Sequence, residues 1–176
     1  MCQLASFWVT RDRVYYSHVT QAHSGIAAEH GLHIDGVRGP NAVKVEITPP
    51  DGRIDVGALD TWVYRVDQDV LPEWYDPADA EARVRTVLRD ALIGLTTLDA
   101  RYSKITDVSA LVNLTTLYAS YSKITDVSAL VNLTTLDASG SQITDVSALV
   151  NLTTLYARWS KVKDIAALRK RGCTIY

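Results

Sequence analysis

The sequence predicts an α+β protein: a small N-terminal α+β domain followed by a parallel β solenoid. Three observations predict it. From Leu95 to Lys170 a nineteen-residue unit is written four times, beginning at Leu95, Leu114, Leu133 and Leu152. A fixed period of this size marks a stack in which each unit contacts mainly its neighbours. Within each unit the apolar residues first alternate and then turn back inward, so every copy offers one short strand and one return. Before the repeats, residues 1–94 show alternating strand patterns and a single strong helix pattern, with no repeat. The expected division is 1–76 as the small domain, 77–94 as a capping helix and 95–176 as the solenoid, with a closing strand at its end.

In the first copy, LTTLDARYSKITDVSALVN, Leu98 and Ala100 alternate with outward residues. Thr97 to Arg101 therefore reads as a short strand. Ile105, Val108 and Leu111 bring the apolar face back inward, and Leu95 and Leu114 close the coil. One copy cannot bury its apolar face alone, so the stack is the folding unit. The pattern L-x-x-L-x-A-x-x-S-x-I resembles the leucine-rich repeat, and the ITDVSAL ending resembles the bacterial internalin type. That resemblance implies a parallel sheet on one side and short turns or 3₁₀ pieces on the other. The copies depart from it in period, in holding Ala at the inner strand position (Ala100, Ala119, Ala138, Ala157), and in holding Ser at the corner (Ser103, Ser122, Ser141, Ser160). A shorter coil has a thinner core, which small residues fill. A three-sided β-helix is the competing arrangement.

Upstream, residues 3–17 read as a hairpin turning at Arg11-Asp12. Thr20 to Glu29 reads as a short helix stopped by Gly31. AVKVEIT (42–48) alternates as a strand, PPDG (49–52) is a turn, and TWVYRVD (61–67) is a further strand. Asp76-Pro77 opens a helix with a cap and a proline at the first helical position. Ala82, Val84, Leu88, Ala91 and Leu92 are its expected buried residues. The segments MCQLASFWVT, VKVEITPPDG and WVYRVDQDVLPEWYD are similar to the N-terminal module of uncharacterised phage and bacterial proteins that carry repeats behind it.

The charge is uneven. Residues 1–94 hold 9 Lys/Arg against 14 Asp/Glu, and residues 95–176 hold 9 against 6. Such asymmetry is either two solvated surfaces or a basic half that meets an acidic partner, including the acidic half of another copy. No apolar run reaches the ~20 residues that span a bilayer, and no signal-peptide pattern opens the chain. The two cysteines, Cys2 and Cys173, form no disulfide framework, so the expected compartment is the cytoplasm.

No nucleotide-loop, dinucleotide-loop or nucleophile-elbow motif occurs. Cys2 could act as an N-terminal nucleophile if Met1 is removed, or simply enter the first strand. His18, His23, His30 and His33 are close in sequence but lack a zinc-site spacing, and His23 is the strongest single candidate. The acids Asp67, Asp69, Glu73 and Asp76 stand beside Trp62, Trp74 and Tyr75, a pairing suited to acid–base work or to solvating a loop and capping a helix. No cofactor or metal is expected. The recurring Asp107/Asp126/Asp145/Asp164 and Asn113/Asn132/Asn151 columns read as turn chemistry.

What varies between near-identical copies is the most informative. One outward column reads Asp99, Tyr118, Asp137, Tyr156. The next reads Arg101, Ser120, Ser139, Arg158, followed by Tyr102, Tyr121, Gly140, Trp159, with Lys104, Lys123, Gln142 and Lys161 beside them. Tyr, Trp and Arg dominate binding hot spots. The expected function is non-catalytic recognition of a protein partner through Asp99, Arg101, Tyr102, Tyr118, Tyr121, Asp137, Tyr156, Arg158 and Trp159. The alternative is a small N-terminal enzyme or modifying module targeted by the repeats. Nucleic acid is disfavoured because aspartates share the face with the lysines, and no membrane is expected.

Overall fold

The computed structural model describes residues 5–17, 42–66, 69–163 and 165–176. It is mixed α/β, with one antiparallel and one parallel sheet. The chain divides into two units: Met1–Pro50 with Ala58–Ala91, and Asp51–Gly57 with Leu92–Tyr176.

In the first unit, β1 (Ala5–Thr10) and β2 (Val14–Ser17) form the expected hairpin, and Thr10 and Arg13 exchange hydrogen bonds across its turn. β3 (Ala42–Thr48) pairs antiparallel with β1, and β4 (Val63–Val66) with β3, giving the order β2-β1-β3-β4. The register sets Phe7 opposite Val45 and Val9 opposite Val43. Cross-strand partners share a face, so these four with Ile47 make one apolar layer, all of them buried. Lys44 and Glu46 lie on the other face and pair at 2.8 Å.

The stretch expected as strand 61–67 is a strand only from Val63. Val56–Thr61 is a short 3₁₀ segment, and Thr61 Oγ1 donates to the Ala58 carbonyl. α1 (Pro77–Ile93) starts where expected: Asp76 accepts the Ala78 N–H on its carboxylate, and Pro77 follows as the first helical residue. Its buried positions are Ala80, Val84, Leu88 and Leu92, whereas Ala91 is half-buried and Ala82 exposed. The buried set follows a strict four-residue spacing, and Ala82 falls opposite it. Arg83 fastens the helix to the hairpin turn by donating to the Thr10 and Arg11 carbonyls.

In the second unit each copy contributes one strand of a parallel sheet: β5 (Thr97–Asp99), β6 (Thr116–Tyr118), β7 (Thr135–Asp137) and β8 (Thr154–Tyr156). Thr97 pairs with Thr116, Thr116 with Thr135 and Thr135 with Thr154, so the register is one copy per strand. The strands are shorter than read from sequence, yet the ladder continues: Ala100 N–H bonds the Tyr118 carbonyl, and Tyr102 N–H the Ser120 carbonyl. Leu98, Leu117, Leu136 and Leu155 are fully buried, as are Ala100, Ala119 and Ala138. The small inner residue is what the short coil accommodates.

The Asn column ties each copy to the segment before it, and the Asp column shapes each copy's own turn. Asn113, Asn132 and Asn151 donate to the carbonyls of Ile93, Val112 and Val131. Asp107, Asp126 and Asp145 each accept the N–H of the serine two residues on. The fourth copy replaces the tight return with α2 (Ile165–Lys170), and β9 (Thr174–Ile175) closes the sheet in the order β5-β6-β7-β8-β9.

Asp51–Gly57 pairs with the return segment of the first copy, whereas sequence reading took 49–52 for a turn in the first domain. Thr106 N–H bonds the Gly52 carbonyl, Ile54 N–H bonds the Asp107 carbonyl, and Arg53 approaches Asp107 at 3.6 Å. Gly52 is required here. It has φ +74°, and a Cβ would stand 2.2 Å from the Lys104 carbonyl oxygen. A signal was present: Asp55-Val56-Gly57-Ala58-Leu59 echoes Asp107-Val108-Ser109-Ala110-Leu111. The Gly57 N–H even bonds Asp55 as Ser109 bonds Asp107.

Candidate binding face

At the end of each repeat strand the chain makes a β-turn. Ser103, Ser122, Ser141 and Ser160 donate their N–H to the carbonyls of Ala100, Ala119, Ala138 and Ala157. The third residue of this turn is left-handed in every copy: Tyr102 (φ 54°), Tyr121 (φ 53°), Gly140 (φ 62°) and Trp159 (φ 56°). Such a turn favours glycine at that place. Only the third copy has it; the others hold bulky aromatic residues, for which the left-handed region costs roughly 1–2 kcal/mol each.

These aromatics are not repaying that cost by filling a core. Tyr102 is 74% exposed and Trp159 75%. Tyr102 and Tyr121 stack nearly parallel, 5.2 Å between centroids and 8° between planes. Tyr121 in turn lies over Gly140. Arg158 sits over the Trp159 ring at 5.7 Å, and Arg101 over the Tyr118 ring at 5.6 Å.

The aspartates of the face are already engaged. Arg101 binds both oxygens of Asp99 through its Nε and Nη2, and its own backbone N–H caps the same carboxylate. This holds Asp99 below the usual carboxylate range and raises the Arg101 guanidinium. Asp137 accepts from the Ser139 N–H and from the buried Ser120 hydroxyl. Lys161 donates to Gln142 at 2.6 Å, while Lys104 and Lys123 form no ion pair among the described residues.

All nine residues predicted for the face thus lie outside the buried core; Asp99, Tyr118 and Asp137 are half-buried and the others exposed. Sequence reading missed Tyr176, which stacks on Tyr156 at 4.9 Å. Its column was masked because β9 follows β8 at an offset of twenty residues rather than nineteen.

Among the described residues the other candidates form no common site. Asp76 caps α1, and Asp69 and Glu73 are exposed in the loop before it. Trp74 and Tyr75 meet edge-on at 6.1 Å, and Trp62 is buried. Cys2, His18, His23, His30, His33, Asp67 and the helix expected at 20–29 lie outside the described residues. Cys173 is buried, which raises its thiol pKa. Among the described residues no three His, Cys, Asp or Glu side chains gather as a metal site, and no helix is long and apolar enough to cross a membrane.

No known protein-family pattern matches the chain, and no curated protein is detectably similar to it in sequence.

Proposed function

We propose that residues 95–176 form a short leucine-rich-repeat-like solenoid that recognises a protein partner, without catalysis, through its Tyr/Arg/Asp face. One observation carries the reading: Tyr102, Tyr121 and Trp159 occupy a strained backbone position that favours glycine, while their rings remain in solvent. Strain of this kind persists where a binding site needs it. Aromatic and arginine side chains on a rigid sheet edge are also the commonest anchors of protein interfaces. The stacked copies supply the rigidity.

The test compares melting with binding. Tyr156→Ala and Trp159→Ala should shift stability by no more than about 0.5 kcal/mol. Each should weaken a partner captured from the native host by on the order of 2 kcal/mol. Leu136→Ala, at a fully buried position, should cost about 2–5 kcal/mol of stability through the cavity it leaves. Aromatic variants that melt as early as Leu136→Ala would place those rings in the core and end the proposal.

A further inference from the structure

The basic balance of residues 95–176 is legible in their composition, and the fold decides which of their charges are already paired. Asp99 is neutralised by Arg101, and both oxygens of Asp137 are hydrogen-bonded. Asp137 keeps its charge but is half-buried; the exposed charged and aromatic groups are Lys104 and Lys123, each two residues after a ring of the Tyr102–Tyr121 stack, and Arg158 over Trp159. The third copy interrupts the cations with Gln142. Discrete positive patches around exposed rings suit separate carboxylates on a protein better than the continuous charge of a phosphate backbone.

The same chain carries a segment of the opposite character. Asp69-Val70-Leu71-Pro72-Glu73 lies in the loop ahead of α1, with Asp69, Leu71 and Glu73 exposed and Val70 79% exposed. Asp76 is committed to the helix cap and Asp79 pairs with Arg83, but Asp69 and Glu73 form no ion pair among the described residues. Carboxylates that flank an exposed Val-Leu-Pro run are complementary, in charge and in apolar content, to lysines that flank exposed rings.

Resting on the recognition reading above, we propose that the partner is a second copy of this chain, whose Asp69–Glu73 segment docks on the Lys104/Lys123–Tyr102/Tyr121 edge. The two surfaces differ and each copy carries both, so the contact either closes as a reciprocal pair or a ring or continues as an open chain.

The experiment measures mass by light scattering from micromolar to near-millimolar protein. At low salt the mass should rise with concentration above that of one chain. It should fall back at about 1 M salt, where the screening length shrinks to about 3 Å. Lys104→Glu with Lys123→Glu, and separately Asp69→Lys with Glu73→Lys, should each raise the apparent dissociation constant at least roughly tenfold. Mixing the two charge-reversed proteins should restore association. If either fails to fold by circular dichroism, the neutral pairs Lys104→Gln/Lys123→Gln and Asp69→Asn/Glu73→Gln replace them, each expected to weaken association.

A wild-type mass of one chain at every concentration overturns the proposal, as does association that either variant leaves intact or that salt strengthens. A single-chain protein that still loses a captured host partner on Trp159→Ala would sink this proposal alone and leave the recognition reading standing.

Discussion

The ring of Tyr121 lies across Gly140, its Cε1 2.5 Å from the place a Cβ on residue 140 would take. Residue 140 also has φ 62°, so two separate costs meet there. Gly140→Ala should lose about 1–2 kcal/mol from the left-handed backbone alone. The displaced ring adds a further penalty, which a half-exposed side chain relieves by swinging outward. A double-mutant cycle with Tyr121→Ala isolates that second part: a coupling of about 0.5 kcal/mol or more is expected. Strict additivity in urea melts would show that the ring does not rest on Gly140.

Trp159 has the same backbone without the glycine. Trp159→Gly should therefore leave stability unchanged or raise it by up to about 1 kcal/mol, because relief of the left-handed strain outweighs the added freedom of the unfolded chain. The same change should weaken partner binding. A thermal melt read beside a binding curve checks both signs. A strongly destabilised Trp159→Gly protein would mean that the indole holds the fold.

Register predicts which deletions the repeat tolerates. Removing residues 114–132 lets Leu133 take the place of Leu114, so each inward column stays inward and one interface is lost. The shortened chain should fold and melt earlier. Removing half a copy should abolish cooperative unfolding, since the 97–116 and 116–135 pairings could no longer be satisfied. Equal tolerance of both deletions would contradict the strand pairing described above.

Asp99 makes stability pH-dependent in a stated direction. Its folded-state pKa is lowered, first by the Arg101 hydrogen bonds. A depressed carboxylate contributes stability that is fully present above its unfolded value of about 3.9 and is lost as pH falls through the folded one. Wild type should therefore exceed Asp99→Asn in urea midpoint at neutral pH, with the gap closing below about pH 4. Asp107, lowered chiefly by the Ser109 N–H, acts in the same direction and remains in both proteins. A gap that widens on acidification would refute the assignment.

The repeat itself determined the parallel pairing, the buried Leu, Ala, Ile and Val columns and the outward place of Tyr102, Tyr156 and Trp159. One nineteen-residue period fixes which residues face in for every copy at once, and the inward columns are apolar apart from the corner serine, buried at Ser122 and Ser141. The hairpin, the strand at 42–48 and the cap of α1 were legible for a similar reason, since alternation and capping are local. Three matters lay beyond it. Asp51–Gly57 joins the second unit through hydrogen bonds to Thr106 and Asp107; the echo of the repeat in Asp55–Leu59 hints at kinship with the copies, but no local preference sets a pairing across fifty residues of chain. Tyr176 enters the aromatic set only because α2 adds one residue to the last return. The basic balance of residues 95–176 was legible, but which carboxylates are engaged was not: the fold pairs Asp99 with Arg101 and bonds Asp137 to Ser120 and Ser139. Proximity in space, not the number of acids, decides which charges are already paired.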